Sequence, residues 1–282
     1  MALDVERGLS ANTLAAYQRD LDQYLGFLGD DEPDQSAVER YLRHLRAREL
    51  ASSTVGRKLA AIRGLHRFLV IEGLRETDPT LLLDSPRRPD PFPKALTVDE
   101  AIGLVEVPDL STVKGRRDSA LLEFLYGTGA RVSEAVGLDL GKIDLEDRIV
   151  IVTGKGSKQR LVPLGAKAVT AIARWLPDRM ALVHRSQRGD PVFLNLRGTR
   201  LSRQGMFDVV RANARQAGIP EEKVSPHVLR HSAATHMVEA GADLRSVQEM
   251  LGHATISTTQ IYTRVSPTHL VEVYVQSHPR SR

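Results

Sequence analysis

The sequence has 282 residues, 41% hydrophobic and 26% charged, which bounds it to one to three soluble, globular domains. The net charge is +4 with a pI near 9.4, and the absence of cysteine excludes disulfides and thiolate metal sites. The apolar runs are short, Leu81-Leu82-Leu83 among them, which excludes a helical membrane span, and the first residues hold no apolar signal core, so a cytoplasmic protein is expected.

Ser10 reads as an N-cap, and Leu14, Tyr17, Leu21, Tyr24 and Leu28 follow at three- and four-residue steps, which predicts an amphipathic helix. Val38, Tyr41, Leu42 and Leu45 predict a second helix. Ser52 or Ser53 opens a third, with Val55, Leu59, Ile62, Leu65 and Leu69 on one face. A short helical piece is expected over Pro79–Leu83, so residues 1–84 read as a small four-helix domain. Four prolines then fall within residues 85–93 and set an extended linker.

The second domain, 94–282, opens on the capping box Thr97-Val-Asp-Glu100. Ala120–Tyr126 predicts a buried helix ended by Gly127-Thr-Gly129, with a helical restart over Arg131–Val136. Arg148–Thr153 is β-branched and Arg160–Pro163 returns after a glycine turn, so a hairpin is expected with Gly154–Lys158 at its tip. Helices are expected near 165–176, 202–216, 226–240, 243–251 and 256–263, with a short strand over Val192–Asn195. The tail from Thr268 is expected to be poorly helical, because Val271, Val273 and Val275 are β-branched.

Charge is uneven along the chain. Residues 1–84 hold 11 Lys and Arg against 14 Asp and Glu, and the remainder holds 28 against 21. Within the first part, Arg40, Arg43, Arg46, Arg48, Arg57, Lys58, Arg63 and Arg67 form a basic stretch behind an acidic one from Asp20 to Glu39. Such a stretch suits a polyanion, although an ordinary solvated helix face has the same composition. Arg43, Arg46, Arg57, Lys58 and Arg63, with Lys158 and Arg160 of the hairpin, are the candidate DNA contacts.

Six residues carry phosphoryl-transfer chemistry: Arg131, Lys155, His227, Arg230, His253 and Tyr262. Planar guanidinium groups stay ionised and match the paired oxygens of a phosphodiester. Arg131 follows two glycines and lies in the first turn of the restarted helix, with Glu134 three residues on to hold it. In Ser225-Pro-His-Val-Leu-Arg230, serine is the N-cap and proline the first helical residue, and His227 and Arg230 at i, i+3 share a side. Lys155, between Gly154 and Gly156, is placed to protonate a departing 5′-oxygen, with Lys158 and Arg160 as competing candidates. His253 follows Leu251-Gly252, and Tyr262 is the candidate nucleophile, its phenol also a fair leaving group. His227 and His231 have a zinc-protease spacing, but Val228 stands where that motif needs glutamate, so no metal is expected; His231 and His236 read as structural.

In their order, Gly-Thr-Gly-Ala-Arg131-Val-Ser-Glu, Gly-Lys155-Gly, Ser-Pro-His227-Val-Leu-Arg230-His-Ser-Ala-Ala-Thr-His, and Leu-Gly-His253 nine residues before Tyr262 resemble the tyrosine recombinases of the phage integrase family. Gly8–Tyr17 resembles the opening helix of the family's core-binding domain, and the chain's length and its His278-Pro-Arg ending resemble the bacterial Xer branch. The resemblance implies a mainly α fold: a helical, SAM-like core-binding domain and an α+β catalytic domain with a small sheet. It implies cleavage of double-stranded DNA through a 3′-phosphotyrosine, without cofactor. It further implies a nucleoid-associated heterotetramer with a second Xer-type recombinase, resolution of chromosome dimers under a septal DNA translocase, and a C-terminal end docked into a neighbouring subunit. A phage or transposon integrase, a type IB topoisomerase-like enzyme and an inactive DNA-binding protein remain the alternatives.

Overall fold

The structure, a computed structural model, describes residues 11–83, 95–183, 189–252 and 267–281. The chain divides into two compact units, Met1–Phe92 and Pro93–Arg282.

In the first unit, helices α1 (Ala11–Leu28), α2 (Gln35–Ala47) and α3 (Ser52–Ile71) follow the expected apolar stripes. Tyr24, Leu28, Val38, Tyr41, Leu42, Leu45, Val55, Leu59 and Ile62 meet in one core. Asp34 caps α2 by accepting from the Ala37 amide at 2.7 Å. The short helix expected at Pro79–Leu83 is a run of turns instead. Asp78 caps the first turn, its carboxylate accepting the Thr80 amide (2.8 Å) and hydroxyl (2.6 Å), but the backbone bonds that follow, Leu81 to Asp78 and Leu83 to Thr80 (both 3.3 Å), span three residues and not four. Ser10 lies outside the described residues.

In the second unit, α4 (Val98–Glu106) starts on the expected capping box, with Thr97 and Glu100 exchanging bonds. Helix α5 (Val113–Thr128) is buried along most of its length and forms the spine of the domain. Gly127 does not end it; the helix runs through Thr128 and stops at Gly129, which adopts φ +58°. The five-residue helix α6 (Val132–Val136) follows directly. Strands β1 (Ile143–Asp144), β2 (Ile149–Thr153) and β3 (Gln159–Pro163) form an antiparallel sheet in that order, with Val152 opposite Arg160. The hairpin is the expected one; β1 is an addition that sequence alternation does not reveal. The stretch expected as a strand, 192–195, contributes only a single bridge, Leu194 to Arg200, beside another from Asp139 to Pro191.

Helix α7 (Ala166–Leu182) continues past Pro177, and α8 (Arg203–Gln216), α9 (Pro226–Glu239) and α10 (Leu244–Leu251) fall close to expectation. The expected 256–263 helix lies outside the described residues. Phe124, Phe193, Trp175 and Tyr126 are fully enclosed in the main core, where burial of each phenylalanine contributes roughly 1.5–3 kcal/mol.

The tail departs most from expectation. Pro267–Ser277 is helix α11, although valines occupy three of its positions. Tertiary packing overrides their intrinsic preference. Tyr274, 2% exposed, packs with Met237, Val247, Met250 and Leu251. His278 stacks on Tyr274 with centroids 4.9 Å apart, and its Nε2 donates to the Tyr126 carbonyl at 3.2 Å. Arg280 pairs with Glu123 and with Glu106 (2.6 Å), and the Ser281 carbonyl accepts from the Ala166 amide at 3.1 Å. This end of the chain therefore packs on its own catalytic unit. Among the described residues no helix is long and apolar enough to cross a membrane.

Candidate active site

The site is built around the C-terminal end of α10. Helix ends leave carbonyls without intrahelical donors. Here the last three are taken by three guanidinium groups from distant segments. Arg160 Nε donates to the Met250 carbonyl at 2.7 Å, Arg230 Nη2 to Leu251 at 2.5 Å, and Arg131 Nη2 to Gly252 at 2.9 Å. Cations at this end also match the negative pole of the helix.

Arg131 is not in the first helical turn; it is the N-cap residue of α6, with extended backbone (φ −69°, ψ 147°). Its amide donates to Glu134 Oε2 (2.7 Å) and its Nη1 to Oε1 (3.0 Å). Glu134, expected as its support, has a fully buried carboxylate. Arg160 meets the same carboxylate with both Nη atoms, at 2.6 and 2.9 Å. Burial opposes ionisation of Glu134, but hydrogen bonds from Arg160 and the Arg131 amide outweigh it and hold the group below the usual carboxylate range.

Arg230 comes from α9, whose N-cap is Ser225 and first residue Pro226, as the sequence predicts. It is 9% exposed and also donates to the Gly129 carbonyl at 2.6 Å. Gly129 needs its left-handed backbone to turn that carbonyl inward, and a Cβ there would stand 2.5 Å from a Leu251 methyl. Burial, with Arg131 nearby, lowers the Arg230 guanidinium to about 10, so it stays charged at neutral pH. His227 is exposed one turn earlier, 6.2 Å from the Phe207 ring. Partial desolvation and the Arg230, Arg203 and Arg131 charges hold it below the ordinary imidazole value.

Lys155 lies in a 3-10 turn, residues 155–157, at the tip of the β2–β3 hairpin; a Gly154 amide to Lys158 carbonyl bond (2.8 Å) closes it. Lys158 is exposed there. His253 and Tyr262 lie outside the described residues, the first directly after Gly252. The structure thus brings together Arg131, Arg230, Glu134 and the approach to His253, with His227 at the rim. His236 is buried, donating from Nε2 to the Leu96 carbonyl and accepting from the Tyr126 hydroxyl, both at 2.8 Å. His231 is exposed and lines a groove of about 650 Å³ with Ala234, Val238, Leu244 and Val247. Among the described residues no three His, Asp or Glu side chains gather as metal ligands.

Several expected DNA contacts bond to groups of the protein itself, Lys58 buried and Arg57 and Arg63 at least partly exposed. Lys58 is 4% exposed and donates to Asp20 (3.0 Å) and Gln23 (2.5 Å). Arg57 also pairs with Asp20, and Arg63 donates to the Leu83 carbonyl. Asp20, 2% exposed, is the reason: a buried carboxylate demands partners, and α3 supplies them. Arg160, expected as a DNA contact or a rival to Lys155, pairs instead with Glu134; a strand arginine two residues past a hairpin tip carries no sequence mark of a carboxylate 26 positions away. Arg43 and Arg46 remain exposed on α2.

Comparison with known proteins gives a consistent picture. The pattern of the Phage integrase family matches residues 94–269, and that of the phage integrase N-terminal SAM-like domain matches residues 1–73. The chain is 44% identical over 284 residues to the tyrosine recombinase XerD of Halalkalibacterium halodurans, covering 98% of this chain and 95% of that one. It is 40% identical to XerD of Staphylococcus aureus over 99% of this chain and 96% of that one. Among solved structures, the XerA recombinase is 31% identical with a TM-score of 0.52, covering 95% and 92%. XerH bound to difH substrate in a pre-cleavage complex is 25% identical with a TM-score of 0.71, covering 95% and 80%.

Proposed function

The chain belongs to the phage integrase family and is a site-specific tyrosine recombinase, and from that premise we propose that it cuts double-stranded DNA with Tyr262 as the nucleophile. The observation that supports this reading is the convergence of Arg131 and Arg230, from separate segments, on one helix end immediately before His253.

In the proposed reaction the Tyr262 oxygen attacks phosphorus and its proton leaves to a nearby base, for which neutral His227 is suited. The phosphorus–O5′ bond breaks, a 3′-phosphotyrosine forms, and Lys155 supplies the proton that completes the 5′-hydroxyl. Arg131, Arg230 and His253 stabilise the charge that grows on the non-bridging oxygens. Attack by a 5′-hydroxyl from the partner strand reverses each step, so the phosphoester energy is retained and joining needs no nucleotide. Arg43 and Arg46 of the first unit, with Lys158, hold backbone phosphates and set register on the duplex.

We propose with it a finer role: action at a dif-like site in a heterotetramer with a second Xer-type recombinase, under a septal DNA translocase, to resolve chromosome dimers. The test uses a nicked suicide duplex carrying a dif-like site. A covalent adduct is expected with the native chain and none with Tyr262→Phe. An adduct that survives in Tyr262→Phe would move the nucleophile elsewhere. Relaxation of site-free plasmid would favour a topoisomerase-like activity.

A further inference from the structure

We propose that Arg160 is a positioning residue of the reaction, acting through Glu134 and without touching DNA. This rests on the reading above, in which Arg131 holds the scissile phosphate.

The geometry sets up a competition. Glu134 is wholly buried, and a buried carboxylate with one cationic neighbour draws that cation into a two-point pair. Arg131 is the neighbour in its own helix and would be that cation. Arg160 occupies both carboxylate oxygens first, at 2.6 and 2.9 Å, so Arg131 keeps a single side-chain bond of 3.0 Å. Its Nη2 is then free to reach the Gly252 carbonyl, and the side chain, about a third exposed, keeps donors for an anion. Arg160 also offsets the Glu134 charge, so the Arg131 cation is not cancelled where the substrate phosphate binds.

A second contact fixes the other side. Arg160 Nε holds the Met250 carbonyl, and Gly252 packs against the guanidinium so closely that a Cβ would stand 3.0 Å from Nη1. Arg160 therefore ties three parts together: β3, whose hairpin carries Lys155; the Glu134–Arg131 pair; and the turn that leads into His253. A displacement of about 1 Å in such a group is worth up to about 10²-fold in rate.

The experiment compares native chain, Arg160→Met, Arg160→Lys and the double variant Arg160→Met/Glu134→Gln in two measurements: affinity for the dif-like duplex by gel shift, and single-turnover adduct formation on the suicide duplex. Arg160→Met is expected to bind with native affinity and salt dependence and to form adduct about 10²-fold more slowly. Arg160→Lys is expected to fall between, and the double variant to recover part of the loss, because the competing charge is gone. Weakened binding with a salt slope smaller by about one would make Arg160 a phosphate contact and overturn the proposal. Native adduct rates in a cooperatively melting Arg160→Met would also overturn it. So would a double variant no faster than the single one. If Arg160→Met does not fold, native adduct rates in Arg160→Lys decide against it. Failure of the native chain to form adduct would instead sink the functional reading.

Discussion

Arg230 is held by two carbonyls, Gly129 at 2.6 Å and Leu251 at 2.5 Å, from opposite sides of its guanidinium. That arrangement needs a planar fork with several donors, which an ammonium group cannot reproduce. Arg230→Lys keeps the charge but loses one carbonyl and the alignment. Single-turnover adduct formation is expected to fall by about 10²–10³-fold, the range for loss of one preorganised oxyanion donor. A native rate in this variant would contradict the role given to Arg230. The residue types of this cluster were legible in the sequence because glycine, serine and proline mark their settings. The allocation of partners was not. Glu134 was legible as a support for Arg131 from its i, i+3 spacing, whereas its pairing with Arg160 depends on a sheet packing against a helix start, which no local pattern encodes.

Elements show the same division. Helices α1 to α3 and α8 to α10 were readable because each places an apolar stripe on one core, and the hairpin was readable from its β-branched strands and glycine tip. Helix α11 was misread because its valines disfavour a helix locally, while Tyr274 buried against α9 and α10 stabilises one. The tail beyond it is titratable. His278 Nε2 donates to the Tyr126 carbonyl and Nδ1 accepts from the Arg280 amide at 3.0 Å, a pattern only the neutral ring satisfies. Burial, assisted by the His236 and Arg280 neighbours, depresses His278 to about 3. Because the folded value lies below the unfolded one of 6.5, this contribution is complete above pH 6.5 and is lost as pH falls towards 3. A loss of roughly 2 kcal/mol is expected by pH 5, at about 1.4 kcal/mol per pH unit. Thermal melts of the native chain and His278→Phe at pH 7 and pH 5 check this: the variant is expected to lose the His278 share of the pH dependence. Equal dependence in both chains would assign it elsewhere.

Across the whole molecule, the acidic first unit and the basic second unit each have their own core. Composition alone suggested a broad basic stretch on the first unit, but Lys58 is buried on Asp20, while Arg57 and Arg63 bond to Asp20 and the Leu83 carbonyl from partly exposed positions. Exposed Arg43 and Arg46 are its proposed phosphate contacts. Each of Arg43→Ala and Arg46→Ala is expected to reduce the slope of log affinity against log salt by about one, without changing site preference. Lys58→Met is expected to lower stability instead, leaving Asp20 partly unpaired in the core, with the salt slope intact. A reduced slope in Lys58→Met would return that lysine to the DNA surface.

The docked tail also constrains how the protein is handled. Arg280 and Ser281 are 6% and 7% exposed, and the Ser281 carbonyl is already committed to the Ala166 amide. Gly165 lies beneath them, where even a methyl group would collide with the Arg280 carbonyl. A purification handle or fluorescent fusion joined at the C-terminus therefore starts from a packed layer, with its first residues competing for the space of the Glu123–Arg280 pair. A spacer of small residues before the handle lets the tail keep its seat.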